Sequence, residues 1–302
     1  MGLRTADFML LDIFDWAAVT RGIVRGTGVP LAHLDSYTPP PRRAETSPQT
    51  PHPALGRVLC IANQKGGVGK TTTAVNVAAC CATAGLRTLL VDLDPQCNAT
   101  GAVGGEPTPR HPLVERQPLR ETIWATGVDQ LELLPGSRSF HDVDHLATAG
   151  GGESRLVADH LSASLSVYDA VLVDCPPSLG TLTETALATA DEVLMPLECE
   201  YFAMEGLTQM IELIKRVMHS RNARLQFGGI LLTKHDPALE LTHEVEAEVR
   251  EFFGDVVFDT VVPRDVALAE APSHGQSILD YDPRSRGARA YIEVCMEVLE
   301  RV

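Results

Sequence analysis

Residues 63–73 read Asn63-Gln64-Lys65-Gly66-Gly67-Val68-Gly69-Lys70-Thr71-Thr72-Thr73. An apolar run at 57–62 comes just before, and a stretch rich in Ala, Val and Thr follows at 70–84, ended by Gly85. The order is a strand, a glycine-rich turn, then a helix opening on Lys-Thr. Glycines let successive backbone N–H groups curl around phosphate oxygens, and the helix N-terminus adds its partial positive charge. In such a P-loop, Lys70 neutralises the β- and γ-phosphates and the Thr71 hydroxyl ligates Mg²⁺. The strict spacing G-x-x-x-x-G-K-T wants glycine where Gln64 stands, so this loop is a variant of the pattern.

Outward from that turn the texture repeats. Apolar runs at 87–91, 169–173, 192–196 and 226–232 read as buried strands. Helical stretches lie between or after them at 179–190, 205–220, 242–253 and 285–302. Strands alternating with helices predict an α/β fold, a doubly wound and mostly parallel sheet with helices on both faces. Its functional loops then gather at the strands' carboxyl ends. Residues 104–121 are rich in Pro, Arg and Glu and read as a surface loop.

Two of those ends carry carboxylates. Leu89-Leu90-Val91-Asp92-Leu93-Asp94-Pro95-Gln96 follows one strand, and Val171-Leu172-Val173-Asp174-Cys175-Pro176-Pro177-Ser178 another. Such acids point into the nucleotide site, and an Asp ending an apolar strand is the second part that holds Mg²⁺ in P-loop NTPases. Each motif alone is common; all three in this order are specific.

Bulk properties narrow the class. The 302 residues carry a formal net charge of −15, which argues against a surface that grips nucleic acid all round. A hydrophobic content of 44% is ample for a packed core. The seven cysteines are odd in number and lack any C-x-x-C, so neither a disulfide framework nor a zinc-finger spacing fits. Cys60, Cys80 and Cys175 lie in apolar runs and read as small buried hydrophobes. No run of about 18 apolar residues predicts a membrane span, and Asp7, Asp12 and Asp15 break any signal-peptide pattern at the start. Residues 1–56, with a proline-rich stretch at 38–56, read as a flexible extension and linker, partly disordered, ahead of an ATPase domain at 57–302.

Asn-Gln-Lys-Gly-Gly-Val-Gly-Lys-Thr-Thr, Asp-Leu-Asp-Pro-Gln and Asp-Cys-Pro-Pro-Ser resemble the deviant Walker motifs of the ParA/Soj ATPases. The similarity continues through Glu198-Cys199-Glu200-Tyr201-Phe202-Ala203-Met204-Glu205-Gly206, Val262-Pro263-Arg264, Glu270-Ala271-Pro272-Ser273 and Tyr281-Asp282-Pro283, and so covers about residues 57–302. The resemblance implies a cytoplasmic, nucleoid-associated ATPase that uses ATP and Mg²⁺, forms an ATP-dependent homodimer and turns over slowly until a ParB-like partner stimulates it. It implies that Lys65, Gly66, Gly67, Val68, Gly69, Lys70, Thr71 and Thr72 hold the phosphates. Lys65 matches the lysine that reaches across the dimer to the partner's phosphates. Asp94 matches the carboxylate that positions the attacking water, and Asp174 the outer-shell Mg²⁺ ligand. Pro263, Arg264 and Asp265 match the segment along the adenosine.

The same resemblance implies nonspecific DNA binding, but three positions usually basic in the family are changed. Pro237-Ala238-Leu239-Glu240 stands where Arg-Thr is usual, Ala267 follows Val266 where an Arg is usual, and Gln276 follows Gly275 where a Lys is usual. The expected DNA contact is therefore weak and centred on Lys215, Arg216, Arg221 and Arg224, with Lys234, Arg284, Arg286 and Arg289 as further candidates. Alternatives are a relative that positions a protein cargo, or acts as a regulator with weak DNA binding. A MinD-like membrane ATPase wants a basic amphipathic C-terminal helix, and the sequence stops at Glu300-Arg301-Val302. A cluster-bearing electron donor wants a cysteine motif that Cys97 and Cys199 do not match.

Overall fold

A computed structural model of the chain describes residues 56–111, 118–142, 167–200 and 207–301. The extension at 1–55, the middle of the 104–121 loop and the segment 201–206 lie outside the described residues.

The sheet is built from short apolar segments. β1 (Arg57–Ile61), β2 (Thr88–Asp92) and β5 (Ala170–Asp174) lie at its centre and are buried almost throughout. β6 (Glu192–Glu198) and β7 (Gln226–Thr233) extend it on one side. On the other side lie β4 (Leu131–Leu134) and the two-residue β3 (Trp124–Ala125). The seven strands run in the order β3-β4-β2-β5-β1-β6-β7. Every pairing is parallel except β3 with β4. Continuous apolar strands are what a parallel sheet covered on both faces requires.

α1 (Lys70–Thr83) follows β1 and buries eleven of its fourteen residues. Only small side chains allow a helix that is buried nearly all round, and its sequence is Ala, Val, Thr and Cys for most of its length. Gly85, at φ 90°, ends it in the left-handed region. α2 (Asn98–Ala102), α3 (Thr181–Thr189), α4 (Leu207–Ser220), α5 (Glu240–Phe253), α6 (Val266–Glu270) and α7 (Ile278–Tyr281) follow in order. α8 (Arg286–Glu300) closes the described chain. Its Ser285 cap accepts the Ala288 N–H, and it buries Ala288, Tyr291, Val294, Cys295 and Val298 at helical spacing. Tyr291 reaches back to Thr73 of α1, the two hydroxyls 3.1 Å apart.

The predicted elements correspond to observed ones within a few residues. β6 runs past Pro196 to Glu198 because β1 stops pairing with it at Leu194, so the missing proline donor falls where that ladder has ended. The 104–121 stretch is less superficial than its composition suggests: His111 and Leu119 are fully buried. All seven cysteines are free and buried, Cys60, Cys80 and Cys175 among them as expected.

From β1 the chain crosses to β2 on one side, and from β5 to β6 on the other. The crevice where such a sheet reverses, at the carboxyl ends of β1 and β5, is where α/β folds take ligands. The turn at 63–69 and Asp174 both lie there.

Candidate functional site

Gly67 and Gly69 take φ values of 78° and 89°, backbone that strains any side chain. Gly69 stands directly before α1, and no side chain caps that helix end, so its positive pole opens into the turn. Two buried polar residues hold the turn in shape. Asn63 donates from Nδ2 to Pro196 O (2.7 Å) and accepts the Lys65 N–H on Oδ1 (3.0 Å). Thr233, at the end of β7, donates to Val68 O (2.9 Å) across 165 residues of sequence.

The two lysines of the turn sit very differently. Lys70 is buried and folds inward, its Nζ donating to Lys65 O at 2.8 Å. Desolvation lowers its pKa, opposed chiefly by the Asp174 carboxylate. Lys65 lies at the lip. Its side chain is 33% exposed and pairs at 3.3 Å with Glu200, itself 50% exposed.

Three carboxylates lie at or just after the neighbouring strand ends, with three degrees of commitment. Asp92 and Asp174 are register partners at the ends of β2 and β5, and both are fully buried. Asp92 Oδ2 accepts from the Thr100 N–H (2.8 Å) and Oγ1 (2.6 Å), and Oδ1 from the Asp94 N–H (3.1 Å). A Cβ at Gly136 would come within 2.9 Å of Asp92 Cγ, so glycine is required there. Asp92 is thus a wall that fixes the following turn. Asp94 accepts only the Gln96 N–H among the bonds observed (2.8 Å) and has the freer carboxylate. Asp174 Oδ2 accepts from Thr71 Oγ1 (2.8 Å), while its Oδ1 is buried with no hydrogen-bond partner.

Burial first, then the Asp92 charge, push the Asp174 pKa well above the usual carboxylate range. An acid whose folded pKa is raised favours its protonated form in the fold. Its contribution therefore turns unfavourable as pH rises past the unfolded value near 4 and toward the folded one. Without divalent ions, Asp174→Asn should melt higher than the parent at neutral pH, and that gap should shrink toward pH 4. Melting curves from pH 4 to 8 check this; a pH-independent or inverted gap would refute it. An orphaned carboxylate oxygen beside a hydroxyl also suits a hydrated hard divalent cation.

The next two strand ends complete the rim. Glu198, buried at the end of β6, pairs with Lys234 Nζ (3.0 Å) and lies 3.9 Å from Arg264 Nη2. Lys234 is bent into the left-handed region (φ 52°), and its Nζ stands 4.0 Å from where a Cβ on Gly67 would be. Among the sequence candidates for DNA contact, it instead lies over the turn. The Arg264 N–H donates to His235 O (2.8 Å), tying the 263–265 segment to the residue after Lys234. Asp265 uses both oxygens on the chain itself: Oδ1 accepts the Ala267 N–H (3.0 Å) at the start of α6, and Oδ2 the Gly287 N–H (2.8 Å) of α8. Its side chain positions this segment.

The four basic candidates sit elsewhere. Lys215 and Arg216 lie late in α4, and Arg221 and Arg224 in the turn leading into β7, at the amino end of the parallel sheet, whereas the glycine turn is at the carboxyl end. Glu184 of α3 takes both Arg216 (3.5 Å) and Arg221 (3.3 Å).

Residues 56–227 match the family described as an AAA domain. Over 250 residues the chain is 44% identical to the sporulation initiation inhibitor protein Soj of Bacillus subtilis (strain 168), an overlap of 81% of this chain and 98% of that one. The chain belongs to the ParA/Soj family of chromosome-partitioning ATPases. It is likewise 43% identical over 253 residues to the chromosome partitioning protein ParA of Myxococcus xanthus (strain DK1622), covering 82% and 89% of the two chains. Among solved structures, cobyrinic acid a,c-diamide synthase from Mycobacterium smegmatis, with bound ADP and magnesium, aligns with a TM-score of 0.71 at 31% identity, over 82% of this chain and 95% of that one.

Within this ParA/Soj frame, sequence reasoning missed Asn63, Glu198 and Thr233, whose roles are contacts between distant elements. Asn63 left one signal, a polar side chain directly after the apolar run at 58–62.

Proposed function

We propose that this ParA/Soj protein is an ATP-driven dimerising switch that partitions DNA cargo with a ParB-like partner. The contrast between Lys70 and Lys65 carries the reading. Lys70 is enclosed in its own turn and serves the nucleotide bound there. Among the described residues Lys65 pairs with an exposed glutamate, which it can leave for the phosphates bound by a second copy.

In this reading the residues from Gly66 to Thr72 cradle ATP, and the phosphates replace Lys65 O as the partner of Lys70. Thr71 and Asp174 would hold Mg²⁺, which supplies positive charge at the β- and γ-phosphates. Asp94 orients the attacking water. Lys65 from the second copy stabilises negative charge developing in the transition state. Pro263 and Arg264 lie along the adenosine, held by the Asp265 clamp. Hydrolysis is slow until the ParB-like partner stimulates it, and it releases the dimer. Among the described residues no helix is long and apolar enough to cross a membrane; the switch works in the cytoplasm and meets the nucleoid through DNA.

Lys215, Arg216, Arg221 and Arg224 form the DNA face, with Glu184 competing for two of them. Weak binding at low salt follows. Glu184→Gln should tighten ATP-dependent DNA binding and steepen its log–log salt dependence by about 0.9 for each arginine released to phosphate. Fluorescence anisotropy with ATP at several salt concentrations checks this, and reversing the four charges should remove binding. Tight binding that survives the reversal would overturn the assigned face. No binding even at low salt would favour a protein cargo instead.

A further inference from the structure

A second cluster of metal-binding side chains lies behind the rim. We propose that His235, His243 and Glu246 form a site for one divalent transition ion of the zinc class. Each offers one donor atom, and the donors lie within 4.8 Å of one another. His235 Nε2 already stands 2.9 Å from Glu246 Oε2. Bonds of about 2.0–2.2 Å at tetrahedral angles set donors about 3.3–3.6 Å apart, so modest side-chain adjustment closes the set on an ion.

Each ligand is placed by something else. His235 is fixed through its backbone, its N–H donating to Val262 O (3.0 Å) and its carbonyl accepting the Arg264 N–H (2.8 Å). His243 and Glu246 are three residues apart on α5 and share a face. His243 Nε2 lies 3.1 Å from Pro237 O, and a carbonyl only accepts, so Nε2 carries the proton and Nδ1 keeps its lone pair. That is how a protein commonly orients a metal-binding imidazole. Glu246 Oε1 is held by Arg250 Nε (2.9 Å), which leaves Oε2 facing His235. The rest of the Arg250 guanidinium is occupied by Phe258 O (3.0 Å) and Asp259 O (3.1 Å). His243 is exposed, so the site opens to solvent on that side and water completes the coordination.

The donor chemistry separates this site from the nucleotide turn. Two imidazoles and a carboxylate suit zinc, nickel or cobalt, whereas the oxygen-only set of Thr71 and Asp174 suits magnesium. An ion here joins α5 to the loop after β7, the loop that carries Lys234 and is hydrogen-bonded to Arg264.

The test uses chelator-washed full-length protein, with excess Mg²⁺ present to fill oxygen sites, titrated with ZnCl₂ in a calorimeter. One equivalent should bind, and His243→Ala should weaken it by more than about tenfold. Glu246→Gln and His235→Gln should weaken it too. Co²⁺ should give the visible absorption of a tetrahedral site in the parent and lose it in His243→Ala. Because His243 is exposed, that variant should keep the parent's circular dichroism and decides the question even if a change at Glu246 disturbs folding. Absence of saturable zinc binding, or unchanged affinity in His243→Ala, would overturn the proposal.

Discussion

Lys70→Ala should lose ATP binding by about three orders of magnitude, the largest effect on nucleotide affinity expected of any single change here. The Nζ sits inside the turn, where the phosphates would meet it with little intervening water. Two unit charges about 4 Å apart interact by about 4 kcal/mol at an effective dielectric of 20, close to a thousandfold in affinity. Desolvation makes the free lysine costly to keep charged, so an arriving anion relieves strain as well as adding attraction. The fold should survive, because Lys70 opens α1, ahead of the buried Ala74, Val75, Val77 and Ala78 that pack the helix. Titration with a fluorescent ATP analogue reads the affinity. A loss smaller than tenfold would mean the phosphates lie elsewhere.

The second large effect separates chemistry from assembly. Asp94→Ala should bind ATP, slow turnover by about 10²–10⁴-fold, and accumulate as a dimer. Lys65→Ala should bind ATP measurably and remain monomeric. The distinction between Asp92 and Asp94 makes this sharp. Asp92 accepts three hydrogen bonds from the chain and is walled by Gly136, whereas Asp94 accepts one. Size-exclusion chromatography with ATP, run beside phosphate release, checks both variants. An Asp94→Ala protein that is monomeric and turns over normally would remove Asp94 from the reaction.

What could be read from the sequence, and what could not, divides along a physical line. The strand-turn-helix at 57–84 was legible because its signals are local: apolar run, glycines, Lys-Thr, then small residues for a helix buried all round. The acids ending β2 and β5 were legible for the same reason. β3 and β4 were not, since two- and four-residue strands carry almost no periodicity and exist because Leu131–Leu134 pairs along β2. The task of Asp265 was also hidden. Its loop resembled a nucleotide-binding segment, but the Gly287 N–H that occupies one of its oxygens comes from a helix 22 residues away. Glu184 illustrates the limit for charge. The basic residues around 215–224 are visible as a cluster, while the carboxylate that restrains two of them belongs to another helix.

The hydrogen bond between Thr73 and Tyr291 spans 218 residues, and that between Thr233 and Val68 spans 165. Ribosomes add about 5–20 residues per second, so roughly 10–45 s passes between synthesis of the glycine turn and synthesis of the tyrosine that braces the helix behind it. Through that interval a nascent chain has its phosphate-binding backbone but not the last strand or the last helix that hold it in shape. Long-range closure of this kind comes late and slowly in folding. A chain shortened before Thr233 or Tyr291 would thereby lack the braces of its glycine turn and of the helix behind it.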